Sequence, residues 1–419
     1  MNSASLPATL LAHFSGPDKP GLTAALTAVL VQYNVRILDI GQAVVHENVS
    51  LGILIETPEG SDFNLLRSVL HHRAHELGLL ARFTSIHRDA LEHWAHGLRH
   101  QQFIVTVLGR SITAEQLARI SALIAGHGMN IERIERLSGQ LSPGDGLSQA
   151  CVELLLSGDA NREAAMRADF LATAQHLSID IAFQRESIFR RNRRLFAFDM
   201  DSTLIQGEVI DELAAMAGVG KQVSHITRAA MRGDIDFDTS FAERLALLKG
   251  LPEDRVYSLL NAIPLAEGAE RLIKTLRMLG YKTAILSGGF TFFAHALQER
   301  LGIDYIHANE LEIADGVVTG RVIPPIINGR RKAALLAQIA DREGISLDQV
   351  VAVGDGANDI PMLNLAGMGI AYRAKPLVRE RVDQSISFLG LDGLLYLLGV
   401  RDRDLPAHEQ IALAAKNAG

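Results

Sequence analysis

The chain has 419 residues, 48% apolar and 21% charged, and its 41 Lys and Arg against 48 Asp and Glu leave a formal net charge of −7. This is the composition of a soluble globular protein too long for one ordinary core, so two or three domains are expected. The mild acidity speaks against nucleic acid or an anionic membrane as partner. The opening MNSASLPATLLAHFSG lacks a basic segment and a sustained apolar run, so no signal peptide and no membrane span are expected. A single cysteine, Cys151, excludes an internal disulfide and suits a reducing, cytoplasmic setting.

The first ~185 residues carry a weak internal repeat. In the first copy, LLAHFSG reads as a strand, GPDKPG as a turn and LTAALTAVLVQYN as a helix. VRILDIGQAVV and VSLGILIETP read as strands, FNLLRSVLHHRAHELGL as a helix and ARFTSIHR as a closing strand. The second copy runs FIVTVLGR, TAEQLARISALIAGHGM, NIERIERLS, QACVELLLSG, a helix around residues 161–176 and SIDIAFQRE. Both spell β-α-β-β-α-β, with Gly16 matching Gly109 and Asn34-Val35 matching Gly128-Met129. Residues 8–90 and 101–185 are therefore expected to be two small α+β domains of ferredoxin-like form. The His-rich DALEHWAHGLRH between them has no metal-ligand spacing and reads as a solvated linker, as does the basic RRNRR that follows the second copy.

From Leu195 strands and helices alternate, which predicts a Rossmann-like parallel sheet over residues 193–400. The strands LFAFD, KTAILS and VVAVGD end in Asp199, Ser287 and Asp355. Ligands of such sheets bind where strands end, so the chemistry should gather there. A polar helical insertion at residues 206–262 is far longer than an ordinary βα connection and is expected to cap the site.

DMDST sets Asp199 and Asp201 two residues apart, and GDGAND adds Asp355 and Asp359. So many carboxylates in one cleft repel, and need a cation or a shared proton. Mg²⁺ suits hard oxygen ligands combined with a phosphate, and Lys332 would neutralise the remainder. The glycines of SGG (Ser287–Gly289) let backbone amides approach an anion. Singly, these motifs are also compatible with an acidic turn, a plain strand-to-helix turn, a solvated lysine and an Asx-turn loop. Together and in order they point to phosphate chemistry.

These motifs resemble those of the haloacid-dehalogenase-like phosphohydrolases. DMDSTLIQGEVIDELA, ITRAAMRGDIDFDTSFAERLALLKGLP and VAVGDGANDIPML are similar to the phosphoserine phosphatase branch over about Leu195–Gly399. The N-terminal repeat resembles a pair of ACT domains. The resemblance implies Asp199 as nucleophile forming a phosphoaspartate, and Asp201 as general acid and base. Ser287, the Gly288 amide and Lys332 would hold the phosphoryl group. Mg²⁺ would be bound by Asp199, Asp355 and the Asp201 main-chain carbonyl, with Asp359 acting through water. Asn358 would contact the substrate, Glu208 its ammonium and Arg244 its carboxylate, with Met231 and Phe237 walling the pocket. The implied reaction is hydrolysis of O-phospho-L-serine to L-serine, the last step of serine biosynthesis. A broader phosphatase acting on phosphothreonine or phosphoproteins, and an amino-acid sensor with secondary phosphatase activity, are the competing readings.

The ACT resemblance further implies a homodimer or larger homo-oligomer and L-serine as feedback regulator. Its site would lie near Asp18 and Gly21 in GPDKPG, and near Gly109 in the second copy. GRSITA there lacks the acid and the second glycine. Removal of everything before about Arg185 is expected to leave catalysis intact.

Overall fold

A computed structural model of the chain describes residues 9–59, 61–87, 89, 101–139, 149–232 and 234–406. Most of the expected linker and the C-terminal residues after 406 lie outside these. The chain divides into two units, residues 1–100 and 101–419.

In the first unit β1 (Thr9–Pro17), α1 (Leu22–Gln32), β2 (Arg36–Val45), β3 (Asn48–Glu56), α2 (Phe63–Glu76) and β4 (Leu80–Ile86) follow the expected order. The antiparallel sheet runs β2-β3-β1-β4. Alternate residues Leu10, Ala12 and Phe14 face a core shared with Leu26, Leu66 and Leu70 of the helices, as a half-covered strand of period two requires. The Asp62 carboxylate starts α2 by accepting the amides of Asn64 and Leu65.

The second unit opens with the repeat: β5 (Gln101–Gly109), α3 (Ala114–Gly126), β6 (Asn130–Arg136), β7 (Ala150–Gly158), α4 (Glu163–Leu177) and β8 (Asp180–Arg185), in sheet order β6-β7-β5-β8. Unlike β1, β5 is buried along both faces. Phe103, Val105 and Val107 enter the module's own core, while Leu108 enters a second apolar cluster. That cluster also holds Leu137, Cys151 and Ala182 from this module together with Leu391, Leu394 and Leu395, which follow the catalytic sheet.

Next come β9 (Leu195–Phe198), the cap helices α5 (Val209–Met216), α6 (Gly220–Arg232), α7 (Phe237–Ala246) and α8 (Glu253–Ser258), then α9 (Ala269–Met278), β10 (Lys282–Phe290) and α10 (Thr291–Leu301). They are followed by β11 (Tyr305–Ala314), β12 (Val317–Ile323), α11 (Gly329–Arg342), β13 (Val350–Gly354), α12 (Ile360–Leu365), β14 (Met368–Tyr372), α13 (Pro376–Arg381) and β15 (Gln384–Ile386). The seven-stranded sheet runs β12-β11-β10-β9-β13-β14-β15 and is parallel except for β12. All four residues of the central β9 are fully buried, which explains its unbroken apolar run. The cap leaves and rejoins the sheet side by side: Ile205 bridges Leu265, and the Gln206 amide donates to the Pro264 carbonyl at 2.9 Å. Among the described residues no helix is long and apolar enough to cross a membrane.

The β11–β12 hairpin and β15 add strands that the motif pattern does not separate out. Asp315 and Gly316, both at positive φ, close the hairpin. β15 is three residues long, yet it carries the junction with the repeat module. The Gln384 side chain accepts the Phe183 amide (3.0 Å) and donates to the Phe183 carbonyl (2.6 Å), so a side chain substitutes for a ladder rung against β8. The Asp180 carboxylate accepts the amides of Ser387, Phe388 and Leu389. Burial pushes it up to about 6 despite those donors. Arg190, wholly buried, pairs with Glu153 of β7. A cut near Arg185 would bare the apolar side chains this junction covers and leave Arg190 with Glu186 alone, at 3.6 Å. The second repeat module therefore belongs to the same compact unit as the catalytic sheet, and the division between the two units falls at about residue 100.

Glu153→Ala removes the shorter of two carboxylate contacts of the buried Arg190 and leaves Glu186 at 3.6 Å, so a large part of the about 3–5 kcal/mol typical of breaking a buried pair should be lost. Denaturant unfolding of the full chain should show a loss of that order, and a loss under about 1 kcal/mol would mean that Glu186 or water takes over the charge.

Candidate active site

β10 and β13 flank β9 in register, with Ile285 and Val353 both opposite Phe198. Asp199 and Asp355 therefore leave the sheet at one edge, and Ser287 lies beside them in β10, where the pairing with β11 breaks between Leu286 and Phe290. The Asp199 amide donates to the Val353 carbonyl at 2.9 Å and extends the ladder by one residue. The chain then turns sharply: the amides of Leu204 and Ile205 both return to the Met200 carbonyl, and Ser202 sits at φ 55. That turn brings the half-buried Asp201 back towards the strand ends, where its Oδ1 accepts the Val209 amide at 3.0 Å. A Cβ on Gly289 would collide with the Asp201 carboxylate, so only glycine permits this approach.

Behind these groups lies Lys332, fully buried at the first turn of α11. Its Nζ donates to Asp199 Oδ1 and to Asp359 Oδ1, each at 2.7 Å. Burial opposes its charge, but the two carboxylates prevail and raise its pKa. Asp355 is pushed up to about 8 by burial and by Asp359 and Asp199, and Asp359 to about 7 by burial and Asp199. Asp201 is raised well above the carboxylate range by burial, Glu208 and Asp199. Asp199, Asp355 and Asp359 each offer an oxygen within 4.8 Å of the others. Three carboxylate oxygens, two of them on the buried lysine, are a donor set suited to a divalent cation, which would relieve their repulsion.

The strand ends and the cap enclose a cavity of about 390 Å³. Asp199, Asp201, Glu208, Arg244, Ser287, Gly288, Asp355, Asn358 and Phe237 all line it. Glu208 starts α5, and burial followed by Asp199 raises its pKa. Arg244 is 9% exposed on α7; its Nε donates to the Ser240 carbonyl, and no carboxylate lies within ion-pair distance among the described residues. Phe237 stacks on Phe241 and approaches Gly288. Lys332 is not on the cavity wall but one layer behind it. The side chain of Met231 lies outside the described residues. Asp18, exposed, and Gly21, at φ 90 before α1, belong to the first unit. Gly109 is buried at the end of β5, beside Arg110, which is paired with Glu267.

Two residues that the motif reading missed join this site. Asn309 on β11 is fully buried; its amide donates to the Gly288 carbonyl (2.8 Å) and its oxygen accepts the Ile327 amide (2.7 Å), which fixes the SGG turn. A polar residue inside an otherwise strand-like HANELEI was its only sign. The other is Lys375, in AYRAKP just beyond β14, which lines the cavity although its residue is exposed.

Asn309→Leu would leave the Gly288 carbonyl and the Ile327 amide unpaired, at about 1–3 kcal/mol for each buried group. Stability should fall by that order, and turnover should fall at least tenfold because the SGG turn loses its anchor. Unchanged turnover in a folded variant would show that the turn holds its shape unaided.

Comparison with known proteins agrees with this architecture. A haloacid dehalogenase-like hydrolase family matches residues 193–367, and ACT domain families match residues 8–84 and 101–184. The phosphoserine phosphatase of Streptomyces coelicolor is 42% identical over 405 residues, covering 96% of this chain and 95% of that protein. Phosphoserine phosphatase SerB2 of Mycobacterium tuberculosis is 39% identical over 401 residues, covering 95% of each. Among solved structures, a haloacid dehalogenase family hydrolase of Salmonella enterica serovar Typhi superimposes with a TM-score of 0.60 at 30% identity, over 70% of this chain and 98% of its own.

Proposed function

Because the chain belongs to the phosphoserine phosphatases, haloacid dehalogenase-like hydrolases that carry ACT domains, we propose that it hydrolyses O-phospho-L-serine to L-serine and phosphate. The observation that carries this substrate is the cavity itself. It combines Asp199 and Asp201 at its floor with Glu208 and an Arg244 that has no carboxylate partner among the described residues. A phosphorylated α-amino acid presents the three complementary groups: phosphate, ammonium and carboxylate. Arg244 offers a planar fork for the carboxylate, Glu208 a charge for the ammonium, and Ser287, the Gly288 amide and Asn358 polar contacts at the floor, with Phe237 closing one side.

In the proposed reaction an Asp199 oxygen attacks phosphorus. A P–O bond to Asp199 forms as the bond to the serine oxygen breaks. Asp201, kept protonated by burial and its acidic neighbours, gives that oxygen its proton. The resulting carboxylate then takes a proton from water as the water attacks the phosphoaspartate, and Asp199 is released. Lys332 fixes Asp199 Oδ1 in place throughout. Asp199, Asp355 and Asp359, with the Asp201 main-chain carbonyl, would hold Mg²⁺, which supplies charge stabilisation to the transferring phosphoryl group.

Asp199→Asn should abolish phosphate release, and excess chelator should do the same reversibly with Mg²⁺. Arg244→Ala and Glu208→Gln should each cost about 2–5 kcal/mol in kcat/KM on phosphoserine. On p-nitrophenyl phosphate, which lacks both handles, they should change kcat/KM by less than about threefold. Equal losses on the two substrates would make these side chains structural.

For the first unit we propose pairing between copies and L-serine binding near Asp18 and Gly21. The edge strand β2 exposes Ile37, Ile40, Val44 and Val45, and an apolar unpaired edge favours association. Product control would account for such a module on this enzyme. In calorimetry with the full chain, L-serine should bind more tightly than alanine or glycine, and Asp18→Ala should remove the difference. Equal binding of all three would end the regulatory assignment.

A further inference from the structure

The cavity wall carries two cationic side chains among the described residues, Arg244 from the cap and Lys375 from the sheet. Lys332, the third cation, is committed to Asp199 and Asp359 at 2.7 Å each and lies behind the wall. If Arg244 takes the substrate carboxylate, the wall has one positive charge left to meet a phosphoryl dianion across a floor of carboxylates. That charge is Lys375, which has no ion-pair partner among the described residues and whose ammonium acts on both Glu208 and Asp355.

The placement of Lys375 is also controlled. It stands immediately before α13 and is the third residue after β14. Arg373, in between, sits at φ 43, so the chain turns abruptly here. The Arg373 amide donates to the Ile386 carbonyl at 2.7 Å, and its guanidinium donates to Glu267 at 2.6 Å. The other Glu267 oxygen accepts from Arg110, in the loop after the first strand of the second repeat. Burial, the largest single influence, pushes the Glu267 carboxyl up, but the two arginines together hold it below its usual range. The three side chains thus form one network, the arrangement in which partly exposed ion pairs contribute most. It links the module at residues 101–185 to the segment that presents Lys375.

We propose that Lys375 is a substrate-binding residue that receives the phosphoryl anion, and that the Arg110–Glu267–Arg373 network positions it. This rests on the phosphatase reading above and adds a residue to it. Glu267, Arg373 and Arg110 are positioning residues, acting only through Lys375. They also give the second repeat module a part in substrate affinity, without any ligand bound to it.

The test is a double-mutant cycle in the full chain, with phosphoserine and p-nitrophenyl phosphate assayed in parallel. Both substrates share the phosphoryl dianion, so Lys375→Ala should raise KM about tenfold on each while kcat changes by less than about twofold. It should also flatten the dependence of kcat/KM on ionic strength, and Lys375→Arg should restore most of the affinity. Glu267→Gln should raise KM about threefold in the wild-type background and by less than about 1.5-fold in the Lys375→Ala background. An unchanged KM in Lys375→Ala on both substrates overturns the binding role. Equal Glu267→Gln effects in the two backgrounds overturn the positioning role. If the wild-type chain cleaves p-nitrophenyl phosphate but not phosphoserine, the substrate reading fails instead, and the Lys375 comparison is still decided on the synthetic ester.

Discussion

The ammonium of Lys332, fully buried and bonded at 2.7 Å to both Asp199 and Asp359, is the contact on which the site depends. A lysine without water is costly unless paired, and carboxylates packed as closely as Asp199, Asp355 and Asp359 are costly unless neutralised. Each resolves the other's difficulty in part, and the excess of negative charge that remains is what a metal and a protonated Asp201 must absorb. The geometry follows from that balance. β9, β10 and β13 must run in register so that Asp199, Ser287 and Asp355 meet, and α11 must begin where its lysine can reach both acids. The turn after Asp199 must fold back so that Asp201 shares the burial that keeps its proton.

Much of this was legible before any coordinates. Strand ends carrying acids, a glycine pair and a lysine at a helix start are local signals, and so is β5's continuous apolar run, which matches a strand covered on both faces. Glu208 and Arg244 were different. Each looks like an ordinary charge on an amphipathic helix, and only resemblance singled them out. The Asp315-Gly316 pair was an available hairpin signal, and reading it would have separated β11 from β12. Asn309 and Lys375 had no comparable sign, because their importance comes from partners far away in sequence: Gly288 and Ile327 for one, the cavity for the other.

The two copies of the repeat show how one pattern can serve two purposes. The first keeps its outer sheet face unburied by its own unit, with β2 exposed along most of its length. The second has that face packed into a cluster with residues 391–395, and its sheet edge is locked by Gln384 and Asp180. Internal symmetry in the sequence suggested two equivalent modules ahead of a separate enzyme. Burial makes them unequal, and places the second inside the same unit as the catalytic sheet.

Cys151, the chain's single cysteine, faces that cluster from β7, with no exposed surface and a thiol that burial makes hard to ionise. A thiolate is the species that alkylating reagents attack, so in the closed arrangement Cys151 is protected twice, by access and by protonation. It becomes reactive only when β7 and the segment at residues 391–395 part. The rate of labelling is then a clock for that opening, set by its equilibrium when reclosing is fast. The protein thus carries a built-in reporter, needing no introduced probe, of whether anything bound elsewhere loosens or tightens the seam between its second repeat and its catalytic sheet.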